Sequence, residues 1–296
     1  NHLHFDIARV MLTAGIHVIC DKPLTTSVED AEQLETLVHT SGLLFAVTYN
    51  YSGYPLVRQA RDMVAAGELG ALRLVQVEYP QDWLATKAEA HGVKQAEWRT
   101  DPARAGSGGS LGDIGTHAFH LAEFVSGQQV TSLLAELDCF VEGRTLDDNA
   151  QILLRYSGGA KGLLWASQVA IGHENGLRLR VYGDKASLEW QQEDPNRLLF
   201  SPLGENQRVI TRAGPGIYAS SAEMSRLPAG HPEGFLEGFA NLYREFADCV
   251  ESCRAGNIVR IADTLIPAVG DGVKGVRFIE AAVTSARAGG VWQPLR

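Results

Sequence analysis

An aspartate and a histidine four residues apart form a pair that could transfer a proton. Asp113 and His117 follow a glycine-rich stretch at residues 107–109. On a helix, a spacing of four places two side chains on the same face. Glycine has no Cβ, so backbone or ligand can approach such a stretch closely. A carboxylate beside an imidazole therefore predicts an acid-base site near the start of a helix.

A lysine is predicted at the end of a buried strand. The apolar run at residues 16–20 leads directly into Asp21, Lys22 and Pro23. Open parallel sheets bind ligands beyond the carboxyl ends of their strands, and Pro23 favours an extended backbone at Lys22. An ammonium at such a site can hydrogen-bond a reacting oxygen and stabilise a developing alkoxide. Together with Asp113 and His117, Lys22 suggests chemistry on an alcohol or a carbonyl.

Helix and strand signals alternate over residues 1–50. Apolar periodicity predicts helices at 5–13 and 27–39, with Ser27 as an N-cap, and strands at 16–20 and 43–47. Strands separated by helices of this length pair in parallel through right-handed crossovers. The fold class predicted is therefore α/β at this end, the second half of a Rossmann-type parallel sheet and the remainder of a dinucleotide-binding domain.

Residues 51–296 are predicted to form an α+β domain for substrate binding and oligomerisation. Strand-like runs punctuated by glycine over residues 131–210 predict a large, mostly antiparallel, open sheet. The other predicted elements are a helix ending at Gly67, a strand at 72–79, an ordered polar loop at 81–109, and closing helices at 232–253 and 264–288.

Composition excludes several classes of partner. The net charge of −9 argues against nucleic acid and against an anionic membrane, because both require a basic surface. The chain has no apolar run long enough to span a bilayer. Its four cysteines lack the spacing of a zinc site, which favours a reduced cytoplasmic protein. His117 and His120 alone do not complete a metal site, so no metal is predicted.

In their order and spacing these motifs resemble the Gfo/Idh/MocA oxidoreductases, a family that includes glucose-fructose oxidoreductase and inositol dehydrogenase. That family has an (E/D)-K-P lysine at the end of a Rossmann strand, matched here by residues 21–23. Its later G-G-x-L-x-D-x-G-x-H segment is matched by residues 108–117. Residues 1–4 match the close of its T-P-N-x-x-H turn, and residues 67–70 match its G-x-L-G turn.

The resemblance implies an NAD- or NADP-dependent dehydrogenase for a hydroxyl of a sugar, cyclitol or sugar derivative. It implies that His117 is the general base, while Asp113 orients the ring, stabilises the imidazolium or binds a second hydroxyl. The implied residues are catalytic Lys22, Asp113 and His117; cofactor-binding Asn1, His4, Asp21, Lys22, Trp98 and Arg99; and substrate-binding Lys22, Asp113, His117 and His231.

Structural interpretations of the same residues remain open. Lys22 could be a solvated loop residue, and His117 a core histidine paired with Asp113. Trp98 and Arg99 could anchor the long loop, and His231 could belong only to a turn before a helix. Two other functions also remain: a redox-assisted lyase or glycosidase, and a non-catalytic sugar-binding or regulatory relative.

The family's G-x-G-x-x-G turn, which receives the cofactor pyrophosphate, has no counterpart in this sequence. We therefore expect the sequence to be truncated at its amino terminus, and this fragment to be inactive and to bind cofactor poorly. The ribose-reading residue would lie in that segment, so the sequence does not distinguish NAD from NADP. The exposed face of the antiparallel sheet predicts a homodimer or homotetramer.

Overall fold

The computed structural model describes residues 1–295. Its helices are α1 (His4–Thr13), α2 (Val28–Ser41), α3 (Pro55–Ala65), α4 (Lys94–Arg99), α5 (Pro102–Ala105), α6 (Thr116–Ser126), α7 (Ala219–Met224), α8 (Phe235–Arg254) and α9 (Val269–Arg287). Short 3₁₀ turns lie at Asn50–Gly53, Ala88–His91 and Ile261–Asp263, and a π-helical turn at Leu111–Gly115 leads into α6.

The strands are β1 (Val18–Cys20), β2 (Phe45–Val47), β3 (Leu72–Pro80), β4 (Val130–Asp138), β5 (Asn149–Tyr156), β6 (Lys161–Ser167), β7 (Arg178–Gly183), β8 (Ala186–Gln191), β9 (Arg197–Pro202), β10 (Arg208–Thr211) and β11 (Gln293–Pro294). β1 and β2 form a parallel pair, and α1 and α2 precede them in the order α1-β1-α2-β2. Ser27 caps α2 as predicted, because its Oγ accepts a hydrogen bond from Asp30 N.

The remaining strands form a sheet in the order β10-β9-β8-β7-β3-β6-β5-β4-β11. β3 lies in the middle, parallel to β6 and antiparallel to β7, and every other pair is antiparallel. This arrangement confirms the predicted fold class, a Rossmann-type parallel part followed by an α+β part with a large, mostly antiparallel sheet.

Helices cover one face of the large sheet and leave the other open. On the covered face, Phe119 of α6 stacks on Phe278 of α9 with ring centroids 4.4 Å apart. Alternate residues of each strand, such as Leu154 and Leu164, are buried there, whereas Leu153 and Leu163 point outward and are exposed. α9 also packs into the Rossmann part through Val269, Val273 and Val276. The domain boundary at residue 50 stays a prediction.

Both closing helices begin later than the sequence predicted. α8 begins at Phe235 because the backbone of Gly234 before it is not helical, and Glu237 Oε2 accepts a hydrogen bond from Gly234 N at 2.9 Å. α9 begins at Val269 because the segment before it lies along β2, where Val47 N donates to Pro267 O at 2.9 Å. No helix within residues 1–295 is long and apolar enough to cross a membrane.

Candidate active site

A cleft of about 660 Å³ lies where the Rossmann part meets the large sheet. Its walls include the residues that follow β1 and β2 and the residues that follow β3. Because β3 and β6 run parallel, Gln81 and Gln168, which follow them, emerge at the same edge of the sheet. The cleft therefore collects the carboxyl ends of parallel strands from both parts, where α/β proteins bind ligands.

Lys22 and Asp113 meet at this cleft from opposite parts of the fold. Lys22 follows β1, and its peptide bond to Pro23 is cis. Its Nζ lies 3.0 Å from Asp113 Oδ1 and also donates to the carbonyl oxygen of Asp113. Both side chains are about five-sixths buried, with exposed fractions of 15% and 16%. The ammonium is thus held inside the cleft and is not a solvated loop group.

Two further donors occupy the second carboxylate oxygen of Asp113. Arg99 Nε donates to Oδ2 at 3.0 Å, and Gln168 Nε2 donates to the same oxygen at 2.9 Å. Burial opposes ionisation of Asp113, yet the charges of Lys22 and Arg99 outweigh it and lower the pKa of this carboxyl below its ordinary value. The carboxylate therefore stays ionised under physiological conditions and balances part of the positive charge around it.

Asp147 holds the glycine-rich turn that precedes Asp113. Its carboxylate accepts hydrogen bonds from Gly109 N, Leu111 N and Ser110 Oγ, each at 2.7 Å. A Cβ at Gly109 would lie 2.1 Å from the carbonyl oxygen of Asp147, so the turn requires glycine at that position. This contact fixes the backbone from which the next turn presents Asp113.

Aromatic packing, and not Asp113, holds the ring of His117. The rings of Tyr51, Tyr49 and Tyr79 lie 5.0, 5.9 and 6.4 Å from the imidazole, centroid to centroid. Neither ring nitrogen has a hydrogen bond to any residue of 1–295, and Nδ1 is fully buried. No hydrogen bond joins Asp113 to this ring, and the carboxylate of Asp113 instead accepts from Lys22, Arg99 and Gln168.

Burial also changes the acidity expected for His117. Burial first, and then the nearby charge of Lys22, lower the pKa of the imidazole well below 6.5. The sequence alone suggested an ordinary histidine value. The ring is instead neutral over the physiological range, and a neutral imidazole can accept a proton through the nitrogen that is not buried.

A chain of polar side chains on the cleft wall was not predicted from the sequence. The hydroxyl of Tyr51 meets that of Tyr79, and Tyr79 Oη donates to Asn175 Oδ1 at 2.8 Å. Gln81 Nε2 donates to the same oxygen at 2.8 Å, and its own Oε1 accepts from Trp83 Nε1 at 3.0 Å. Tyr79, Gln81 and Trp83 alternate along one segment, but Tyr51 and Asn175 come from distant parts of the chain, so no local spacing indicates the whole group.

The predicted cofactor contacts near the amino end also line the cleft. Asp21 Oδ1 accepts a hydrogen bond from Thr48 Oγ1 at 2.6 Å, while its Oδ2 has no partner among the described residues and is available to a ligand hydroxyl. His4 Nδ1 contacts Pro23 O at 2.9 Å, and Asn1 Nδ2 donates to Ala105 O at 2.7 Å. The end of β1 therefore presents a carboxylate oxygen that can accept a hydrogen bond from a ligand in the cleft.

Trp98 and Arg99 lie on the opposite lip of the cleft, whereas His231 does not reach it. The Arg99 guanidinium lies 4.2 Å from the centroid of the Trp98 ring. His231 is exposed, in the turn before α8, and only its backbone makes hydrogen bonds, from its N–H to Pro228 O and from Arg212 to its carbonyl oxygen. α8 instead lines the cleft with Phe235 and Phe239. No group of three or more metal-ligating side chains occurs within residues 1–295.

Two family models match the chain. One, described as the oxidoreductase family with an NAD-binding Rossmann fold, matches residues 1–49. The other, described as the GFO/IDH/MocA C-terminal domain, matches residues 57–189. The matched ranges follow the two parts of the fold that meet at the cleft.

The similarity to known relatives, in sequence and in structure, extends over nearly the whole chain. Uncharacterized oxidoreductase YfiI of Bacillus subtilis is 34% identical over 295 residues, which are 99% of this chain and 75% of YfiI. An oxidoreductase structure from Sinorhizobium meliloti is 49% identical, with a TM-score of 0.87 over 99% of this chain and 76% of that one.

A third similar structure contains ligands. It is an inositol dehydrogenase homolog from Azotobacter vinelandii in complex with NADH and myo-inositol, 38% identical, with a TM-score of 0.91 over 99% of this chain and 76% of that chain. These similarities confirm two predictions, the NAD-dependent dehydrogenase class and the nicotinamide cofactor.

Proposed function

The chain belongs to the Gfo/Idh/MocA family of oxidoreductases. We propose that the full-length protein moves hydride between NAD and a hydroxyl-bearing carbon of a cyclitol or sugar. The observation that carries this proposal is the meeting of Lys22, Asp113 and His117 at one cleft, from segments far apart in the chain. A similar structure that contains NADH and myo-inositol supports a polyol as substrate. We propose myo-inositol as the first substrate to test.

His117 is the general base of the proposed reaction. Bound NAD would supply the hydride acceptor, and the proton of the substrate hydroxyl would be left for the protein to move. The imidazole is neutral and its Nδ1 is fully buried, so Nε2 is the nitrogen that receives the proton. The surrounding tyrosine rings fix the plane of the imidazole and exclude water from its buried edge.

Lys22 acts on the reacting oxygen. Its ammonium donates to Asp113 and still has one N–H free for a substrate oxygen in the cleft. A positive charge in a half-closed site stabilises a developing alkoxide more strongly than it would in water. Asp113, kept ionised by Lys22 and Arg99, fixes the position of the ammonium and is, with Lys22 and His117, the third residue of the proposed catalytic group.

Asn1, His4, Asp21, Trp98 and Arg99 are the proposed cofactor contacts. The free Oδ2 of Asp21 would accept from a ribose hydroxyl, and the Trp98 face beside Arg99 suits a planar ring.

The free cysteines at positions 20, 139, 249 and 253 support a reducing location, the cytoplasm.

We also propose that copies of the chain associate through the open face of the large sheet. Leu153 and Leu163 are paired across β5 and β6, and both are more than two-fifths exposed. Exposed apolar rows of this kind mark contact surfaces in soluble proteins. A homodimer or homotetramer is the expected assembly.

The test of function is a steady-state assay of the full-length protein with NAD and a panel of cyclitols and sugars. Accumulation of NADH together with an oxidised polyol would support a dehydrogenase. Conversion of substrate without net NADH would instead indicate redox-assisted lyase or glycosidase chemistry. Binding of polyol without any conversion would indicate a non-catalytic relative, and either result would overturn the proposal.

A further inference from the structure

A second cavity, of about 250 Å³, lies further along α6 from the turn that presents Asp113 to the cleft. It is lined by residues of α3, α6, α9 and the segments at residues 127–129 and 262–267. None of its lining residues lines the proposed active-site cleft. It is therefore a separate cavity, to which the dehydrogenase mechanism assigns no role.

His120 is an unpartnered polar side chain aimed into this cavity. It is only 8% exposed, and neither of its ring nitrogens has a hydrogen bond within residues 1–295. Its ring stacks on Tyr49 with centroids 4.3 Å apart and planes 4° from parallel. Buried polar groups are almost always hydrogen-bonded, so an imidazole in a cavity wall with no partner from the protein can bond a ligand atom inside the cavity.

Two carboxylates and an ammonium around His120 also have unused hydrogen-bonding capacity. Lys274 Nζ lies 4.0 Å from Glu123 Oε2 and 4.0 Å from Asp271 Oδ1, too far for a hydrogen bond to either. The other oxygen of each carboxylate accepts from a backbone N–H, of Val130 at 2.6 Å and of Ala268 at 2.8 Å. One donor therefore faces two free acceptors across a gap that a ligand atom could fill.

The balance of charge in the wall selects the class of ligand. Arg61 and Lys274 offset Glu123 and Asp271, so an anion or a cation would meet as much repulsion as attraction. A hydroxyl both donates and accepts, and can therefore satisfy an ammonium and a carboxylate at once. We propose that this cavity is a second ligand site, which binds a small uncharged molecule rich in hydroxyl groups.

The second site is connected to the first by one aromatic side chain. Tyr49 stacks on His120 and meets His117 edge-on at 5.9 Å, and its own hydroxyl is buried without a partner. A ligand that hydrogen-bonds His120 would restrain the ring pair His120–Tyr49, and thereby the position of His117. A polyol at this site would then modulate turnover, a consequence that rests on the proposed function.

The test is a titration of the protein with myo-inositol, followed by NMR of ring-labelled histidines. His120 reports on the second cavity and His117 on the cleft, and each signal is assigned from its histidine-to-glutamine variant. We expect a saturable shift of the His120 signal. Lys274→Met should weaken that response roughly tenfold, as expected for loss of one hydrogen bond to a charged group, while Arg287→Met, an exposed change on the same helix, should leave it unchanged.

Further variants separate the two sites. Glu123→Gln keeps the side-chain shape and should also weaken the His120 response, while Lys22→Met should leave it intact and weaken that of His117. The inference is overturned if the His120 signal does not move, or if its response disappears in Lys22→Met and persists in Lys274→Met. A His120 response in a protein that makes no NADH would support the second site and refute only the proposed function.

Discussion

At the scale of single residues, Lys22 and His117 have different partners, so substitutions at these two positions should have different effects. Lys22 is bonded to Asp113 and sits among the proposed cofactor contacts. His117 is held by aromatic rings alone, so its removal leaves no hydrogen bond unsatisfied. Loss of His117 should thus affect proton transfer and little else.

We predict that Lys22→Ala and His117→Gln each lower turnover by roughly two to four orders of magnitude, the range for a positioned electrostatic or proton-transfer group. NAD affinity should change much less in His117→Gln than in Lys22→Ala. Stopped-flow measurement of NADH formation, with NAD binding followed by fluorescence, checks both parts. Near-normal turnover in His117→Gln would mean that the histidine is structural and that the base is misassigned.

The sequence predicted that Lys22 and Asp113 belong to one site, because each stands in a local motif. It did not predict the other contacts around them. Gln168 completes the pair from the end of β6, and Tyr79 and Asn175 join across separate segments. Such contacts depend on how distant strands pair, which no local pattern encodes. The lowered pKa of His117 was missed for the same reason, since burial by Tyr49 and Tyr51 is a property of the folded core.

At the scale of elements, the turn before Asp113 depends on close contact between two backbones. A Cβ at Gly109 would collide with Asp147 O, whereas a Cβ at Gly112 would meet only Ile279 at 3.9 Å. We predict that Gly109→Ala lowers the free energy of unfolding by about 1–3 kcal/mol through this overpacking and also reduces turnover. Gly112→Ala is the matched control and should be tolerated. Urea unfolding and kinetic assays of the two variants measure both effects. Equal losses in Gly109→Ala and Gly112→Ala would show that the contact between Gly109 and Asp147 is not what limits this turn.

A second element-scale prediction concerns α6 and acid stability. Burial lowers the pKa of His120 from 6.5 to about 4, with Asp271 opposing the shift and Lys274 and Arg61 adding to it. Between these values the unfolded chain binds the extra proton, so the free energy of unfolding falls as the pH is lowered through this window.

Replacement of His120 should therefore flatten the response of stability to pH. When the pH falls from about 7 to about 5, the free energy of unfolding should decrease by about 2 kcal/mol more in the unaltered protein than in His120→Gln. Urea denaturation at the two pH values, without added polyol, measures the difference. His91→Gln, at an exposed histidine, should keep the steep response of the unaltered protein. Equal slopes in the protein and in His120→Gln would show that the imidazole is not buried in its neutral form.

At the scale of the whole molecule, the sequence predicted the kinds of element better than their neighbours. Alternation and glycine turns indicated the strands of the large sheet, and the structure confirms a mostly antiparallel arrangement. The central position of β3, between β6 and β7, was not predicted. β3 precedes β6 by some eighty residues of chain. Their parallel pairing is therefore a long-range contact, determined by which side chains the core buries. That choice brings Gln81 and Gln168 to one edge, and so creates the cleft.

The open face of the sheet is the other consequence of this architecture. Leu134, Leu153 and Leu163 are successive cross-strand partners on β4, β5 and β6, so they form one apolar row. Ion pairs lie beside it, with Arg180 Nη2 2.7 Å from Glu78 Oε1. An apolar centre bordered by charge is the usual composition of a protein–protein contact.

We predict that the protein is a dimer or tetramer at micromolar concentration and that Leu153→Glu combined with Leu163→Glu makes it monomeric. Two charges buried opposite each other in the contact would remain unpaired, which costs more than the apolar row contributes. Light scattering measures the mass directly. Leu203→Glu, at a residue 82% exposed outside the sheet face, should leave the assembly unchanged. A monomeric mass for the unaltered protein would refute the assembly, and an unchanged mass for the double variant would place the contact on another surface.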